Sequence, residues 1–347
     1  FSDLVSKKRL SFWLDFWVRR TLPAAEPGTV DGIAYFPKGT GAVSNEPAGP
    51  TVRTEGSQIV IGAPGSAKGE LTNPADVTTD AQGNIYIADT DNARVQKYDK
   101  DGNFLAEIGG FTSTDLSFNQ PWSMAVAADG TVFVADTWNH KIVKLGSDLK
   151  KQKEWGSGGE ADKNDGDPFK LFGPREITLT ADGNVLVADT GNARIIEFTQ
   201  DGDFVRQFGK KGTSGAPLEL NEPVGLTTNA AGDIYVADFW NKRIVVLSKD
   251  LQLIRQIPVD TWGSQAVTDR PYMTVLPDGR VLATDPANQK VLVFAADGTP
   301  LAPYDMPKEG RSAFSRPVGI TSDGTSVIIV DSGGSVARKI PLAEVAK

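Results

Sequence analysis

Cysteine is absent from this chain of 347 residues, and histidine occurs once, at His140. The first absence removes disulfides and thiolate chemistry, without choosing between a reducing and an oxidising compartment. The second leaves no set of imidazoles to hold zinc and one candidate for any His-based catalytic pair. Basic residues are outnumbered, and the formal charge of −8 argues against a nucleic-acid partner, which would need a basic stripe to release counterions. No apolar run approaches the ~20 residues of a membrane span. The chain starts at Phe1 rather than Met, which implies a segment upstream.

What the chain has in abundance is glycine and proline, 36 and 21 of them, in a recurring order. One pattern opens at Pro74, Pro121, Pro174, Pro223, Pro271 and Pro317, so successive copies are 47, 53, 49, 48 and 46 residues apart. Each copy reads as a strand after the proline, an Asp-Gly or Gly-Asn turn, and a β-branched run such as IYIAD or VFVAD. Such turn pairs accept the φ > 0 positions of a hairpin. A Thr-x-Asn turn and a third strand follow (Arg94-VQKY, Arg194-IIEF), and then an outer strand (FLAEIG, FVRQFG). Four antiparallel strands at this repeat length predict the blades of a β-propeller. The sixth copy supplies three strands, and residues 51–62 include Gln58-IVIG, which matches the outer-strand endings. The expected fold is therefore all-β: a six-bladed propeller over 51–347, whose N-terminal strand at 51–62 completes the last blade and removes the open sheet edges.

The repeat core is best seen in Gly83-NIYIADTDNARVQKY and Gly183-NVLVADTGNARIIEF, and it resembles the NHL repeat family in register across the ring. The resemblance implies a six-bladed propeller with a central channel. It also implies a choice among sensor domains, protein- and RNA-binding modules and a zinc-dependent amidating lyase. The lyase members hold zinc with several histidines, and a chain with His140 alone departs from them.

The aspartates of the Ala-Asp-Thr motif, Asp89, Asp136, Asp189 and Asp238 with Asp285 and Asp331 by position, recur in every blade. A catalytic group is needed once, so these are read as structural, capping the turn that follows and pairing with Arg94, Arg194 and Arg243. The asymmetric positions carry more functional information. The family's Pro-x-Gly glycine, which would keep the channel mouth open, stands at Gly225 and Gly319; the other copies place Asp76, Ser123, Glu176 and Met273 there, beside Trp122, Arg175 and Tyr272. Asp76 and Glu176 are candidate oxygen ligands for Ca²⁺ or a similar ion. The alternative is an Arg–carboxylate network that satisfies itself. Trp138 and Trp240, in the turns between second and third strands, add aromatics to the same face, suited to a protein or glycan contact. An acidic run at Asp162-KNDGD resembles a calcium loop but lacks its glycine spacing and closing Glu. Its connection is long enough for a flap.

Residues 1–50 carry no repeat. Leu10, Trp13, Leu14 and Trp17 share helical spacing with Phe12 and Phe16 beside them, and residues 1–20 hold five basic and two acidic side chains. An aromatic arm between basic flanks (Phe12, Trp13, Phe16, Trp17) suits a membrane surface, a membrane protein or another partner, and the Pro/Gly-rich stretch after it reads as a tether. The expected function is a non-enzymatic binding or scaffolding propeller, extracytoplasmic and membrane-associated. It would meet protein or glycan through Trp122, Trp138, Arg175, Glu176, Trp240 and Tyr272, with no cofactor required. One alternative is a Ca²⁺-assisted hydrolase or lactonase. Another is the soluble tail of a membrane glycosyltransferase-like protein, which residues 12–36 resemble.

Overall fold

A computed structural model describes residues 52–114, 116–160, 166–306 and 313–345, together with a short hairpin in the N-terminal part. The chain divides into two units, Phe1–Glu46 and Pro47–Lys347. In the first, Gly28–Val30 pairs antiparallel with Ile33–Tyr35; the aromatic arm Phe12, Trp13, Phe16 and Trp17 lies outside the described residues. No helix among those described is long and apolar enough to cross a membrane.

The second unit is a six-bladed β-propeller. Blade 1 runs from its inner strand Asp76–Thr79 through Ile85–Asp89 and Arg94–Tyr98 to the outer Phe104–Gly109. Blades 2, 3 and 4 repeat that order from Pro121, Pro174 and Pro223. The second strand is buried at every position in blades 1 to 5, as expected of a β-branched run covered on both sides. Blade 5 has three regular strands, and its outer position is reduced to bridges at Tyr304 and Pro300. Pro300 and Pro303 lack the N–H groups that a fourth ladder needs.

Blade 6 is built from the two ends of the second unit. Gln58–Ile61 pairs antiparallel with Val336–Pro341, Ile61 opposite Ala337, and Val52–Glu55 adds a further strand outside it. The apolar core is distributed as six clusters among the described residues, one at each junction between neighbouring blades. The cluster between blades 6 and 1 joins Ile61, Val318, Ile328 and Val330 to Val77 and Ile87.

Candidate functional site

Register sets which residues share a face. Pro121 pairs with Asp136, Pro174 with Asp189, Pro223 with Asp238 and Pro317 with Asp331. The prolines, the turns between second and third strands, and the linkers that leave the outer strands therefore lie at one face, here called the proline face.

The repeated aspartates act as clasps at this face. Asp89, Asp136, Asp189 and Asp238 each accept a hydrogen bond from the backbone N–H two residues ahead of the blade's proline, at 2.6–2.7 Å. The carboxylate does not cap a backbone N–H of the following turn; one oxygen faces the incoming linker while the other accepts from the turn's asparagine side chain, Asn92, Asn139, Asn192 or Asn241. In blades 1, 3 and 4 an arginine completes the device. Arg194 Nε lies 2.9 Å from Asp189, and its other nitrogens donate to the carbonyls of Gly166, Asp167 and Lys170. Arg94 and Arg243 repeat the pattern. Removing one buried partner leaves a charge uncompensated, so Arg194→Leu is expected to cost about 3–5 kcal/mol in urea unfolding. A loss below ~1 kcal/mol would mean the clasp is incidental. Blade 2 has Lys141 in that place, bonded to Glu154 at 2.6 Å, and burial holds Asp136 up at about 6.

The channel layer is asymmetric. Asp76, Ser123 and Glu176 stand opposite Ala88, Ala135 and Ala188 on their second strands. In blade 5 Met273 pairs with Ala283, two residues before Asp285, where Val77, Met124 and Ile177 stand in the other blades. The blade is one residue short between Pro271 and its inner strand. Tyr272, not Met273, consequently occupies the glycine position, with its N–H on Thr284 Oγ1. The layer reads Asp76, Ser123, Glu176, Gly225, Tyr272, Gly319 around the ring. The two glycines flank the tyrosine. A Cβ on Gly225 would lie 2.8 Å from Pro271 O, and one on Gly319 would lie 2.5 Å from Asp76 Cα. Their role is close approach of the next blade, and they do not leave the mouth open.

Tyr272 crosses the channel. Its hydroxyl lies 3.2 Å from the Trp122 carbonyl and 3.3 Å from that of Arg175, on blades 2 and 3. Arg175 stacks over the Trp122 ring at 4.2 Å and donates to Val267 O in the linker to blade 5. All three side chains are buried, so the mouth at the proline face is sealed. Below the seal, a cavity of about 170 Å³ is lined by the inner strands of all six blades, including Asp76, Glu176, Thr78, Thr178, Thr227, Thr274 and Thr321.

The expected Arg–carboxylate network does not form, because alternate residues of a strand point to opposite sides. Arg175 turns to the mouth and Glu176 to the channel. Asp76 Oδ2 accepts from Ser123 Oγ and the Met124 N–H, and Ser123 Oγ accepts from the Ile177 N–H. Burial pushes Asp76 up to about 7 despite these donors. Burial, and then the neighbouring Asp76, push Glu176 well above its ordinary range. Glu176 Oε2 is buried without a hydrogen-bond partner.

Of the turn aromatics, Trp138 and Trp240 are half-buried. Trp138 Nε1 donates to Gln120 Oε1, while Trp240 lies edge-on to Phe239 and faces Arg270. His140 is also half-buried; burial lowers its pKa, and its Nδ1 accepts from the Gly173 N–H. Among the described residues no three His, Cys, Asp or Glu side chains converge as a metal cage. Most of the Asp162–Asp167 run lies outside those residues, and the connection around it is pinned by Ser157–Gly158 pairing with Lys170–Leu171.

The NHL repeat family matches residues 71–98, 118–145 and 220–247, the segments that carry clasp, proline and first three strands in blades 1, 2 and 4. The chain carries NHL repeats. This NHL propeller is 27% identical over 145 residues to Protein brain tumor of Drosophila melanogaster, covering 42% of the chain and 13% of that protein. It is 39% identical over 56 residues to Protein lin-41 of Caenorhabditis elegans, covering 16% of the chain and 5% of that protein. The chain thus spans a small part of these curated relatives. Among solved structures, a gluconolactonase from Xanthomonas campestris superposes with a TM-score of 0.57 at 15% identity, covering 92% of this chain and 99% of that one. A virginiamycin B lyase from Staphylococcus aureus gives 0.55 at 15% identity, covering 82% and 88%. At such identities the likeness is one of fold.

Proposed function

We propose that this NHL propeller is a non-enzymatic binding module whose protein partner docks on the proline face. The observation that carries the reading is the seal of Tyr272, Trp122 and Arg175 across the mouth. A closed mouth makes that face a platform rather than a pocket, and Trp138, Trp240 and the exposed Phe111 stand on or beside it. Flat aromatics with a polar handle are enriched where protein surfaces meet, and a few of them dominate the affinity. With a partner identified by crosslinking, Trp138→Ala and Trp240→Ala are each expected to weaken binding by about tenfold or more. Unchanged affinity in both variants would remove the proline face from consideration.

A second reading rests on the channel, where Glu176 Oε2 is orphaned beside Asp76 and a lining of threonine hydroxyls. Hard oxygen donors of this kind suit Ca²⁺ better than a soft-ligand metal. Asp76, Glu176 and Ser123 would hold such an ion, with water making up the 6–8 oxygens that calcium takes. A bound Ca²⁺ would supply a Lewis acid for a hydrolase or lactonase reaction. Millimolar CaCl₂ is then expected to raise the melting temperature of the wild type and leave Glu176→Gln unmoved. Equal melting temperatures with calcium and with chelator would end this reading.

A further inference from the structure

Buried charges are normally paired, and buried N–H groups normally find acceptors. The sealed mouth breaks both rules at one place. Arg175 is 7% exposed and makes a single hydrogen bond, to Val267 O. Among the described residues no carboxylate lies within ion-pair distance of it. Its neighbour Arg270, 4% exposed, carries the same charge; that guanidinium is bonded to Glu222 at 3.0 Å and stacks on Phe239 at 4.3 Å. The indole N–H of Trp122, directly under Arg175, is buried without an acceptor, and so is that of Trp240, beside Arg270. The channel acids do not answer these donors, since Glu176 faces the other way and the Tyr272 hydroxyl is directed at two carbonyls.

Every unanswered group here is a donor, and the one full charge without a counter-ion is cationic. A planar, acceptor-only anion matches that set, because a carboxylate takes two parallel N–H bonds from the guanidinium fork and can accept from an indole as well. We infer that Arg175, with the indole N–H of Trp122, is the receptor for a carboxylate carried by the docking protein, an acidic side chain seated beside the linker of residues 259–270. The inference rests on the proline-face reading and gives that partner its chemistry. Entry displaces the Val267 carbonyl from Arg175, so the linker is the element that shifts on binding.

The probe is octaglutamate, titrated into the intact chain by calorimetry at low salt, with octalysine as the charge control. Binding of octaglutamate alone is expected, weakening as salt rises from about 50 to about 200 mM. Arg175→Gln should weaken it by about tenfold or more, while Lys249→Gln, in a turn at the opposite face, should leave it unchanged. Trp122→Phe keeps the stacking ring and deletes the N–H, and should cost about threefold to tenfold. This variant carries the test if Arg175→Gln fails to fold. No octaglutamate binding at low salt, or equal binding by a folded Arg175→Gln, overturns the inference. So does capture of a single-stranded RNA that depends on Arg175 when octaglutamate binding does not. If Trp138→Ala and Trp240→Ala weaken the natural partner but Arg175→Gln does not, the carboxylate receptor fails and the docking face stands. The reverse pattern leaves the receptor and confines docking to the mouth, away from the turn tryptophans.

Discussion

Gly319→Val is expected to destabilise the propeller by about 3 kcal/mol or more, the largest effect of any single inner-strand glycine. Gly319 sits where the last blade meets the first. A Cβ there would lie 2.5 Å from Asp76 Cα and 2.8 Å from Ala75 O. Both contacts are backbone, so no rotamer change relieves them, and blade 6 has to move away from blade 1. That movement opens the cluster of Ile61, Val77, Val318, Ile328 and Val330, the seam on which ring closure depends. Urea unfolding should show the loss, and hydrogen exchange should place it in the strands around Ile61 and Ala337. A valine variant as stable as the wild type would mean that the seam is loose enough to absorb a branched side chain.

The same seam shows what the sequence makes legible. The spacing of Pro-x-Gly, Asp-Gly and Ala-Asp-Thr-x-Asn predicts six blades, and it separates the repeated aspartates from the asymmetric residues after the prolines. Both rest on local signals, hairpin turns and period-two burial, which a chain states residue by residue. The site is less legible because it depends on register. Aligning the copies on their prolines puts Met273 at the glycine position. Blade 5 drops a residue between Pro271 and its strand, and pairing with Ala283 shifts Tyr272 into that place. A shift of one residue exchanges the faces of a strand, so a small change in a linker converts an open mouth into a sealed one. By contrast, the separation of Arg175 from Glu176 was available from alternation alone, since neighbours on a strand cannot share a side. The clasp arginines were half legible. Their pairing five residues after the aspartate follows from the hairpin, whereas their grip on linker carbonyls 24–28 residues upstream is a tertiary fact.

Stability should depend on pH through the channel acids, in the direction opposite to that of most carboxylates. In the fold Asp76 is pushed up to about 7 by burial, against about 3.9 in an unfolded chain. The folded state therefore holds its proton more tightly. Its contribution is fully present below about pH 4, falls as pH rises, and is gone above about pH 7. A shift of about three units corresponds to roughly 4 kcal/mol as an upper figure, and Glu176, displaced in the same direction, steepens the fall. Other carboxylates work the other way: Asp80 and Asp323 are held low by hydrogen bonds to their turns. The informative quantity is thus the difference between wild type and Asp76→Asn. Asparagine keeps an oxygen for the Ser123 hydroxyl and the Met124 N–H but cannot ionise. The variant should match the wild type near pH 4.5 and exceed it by on the order of 2–4 kcal/mol near pH 8, measured by urea unfolding in chelator. Parallel curves across that range would show that water or a rearranged Ser123 already neutralises the buried charge. If calcium closes the gap at pH 8 in the wild type alone, the energy that the fold loses by ionising Asp76 is recovered by an ion. The acidic layer would then be poised for a cation rather than merely tolerated.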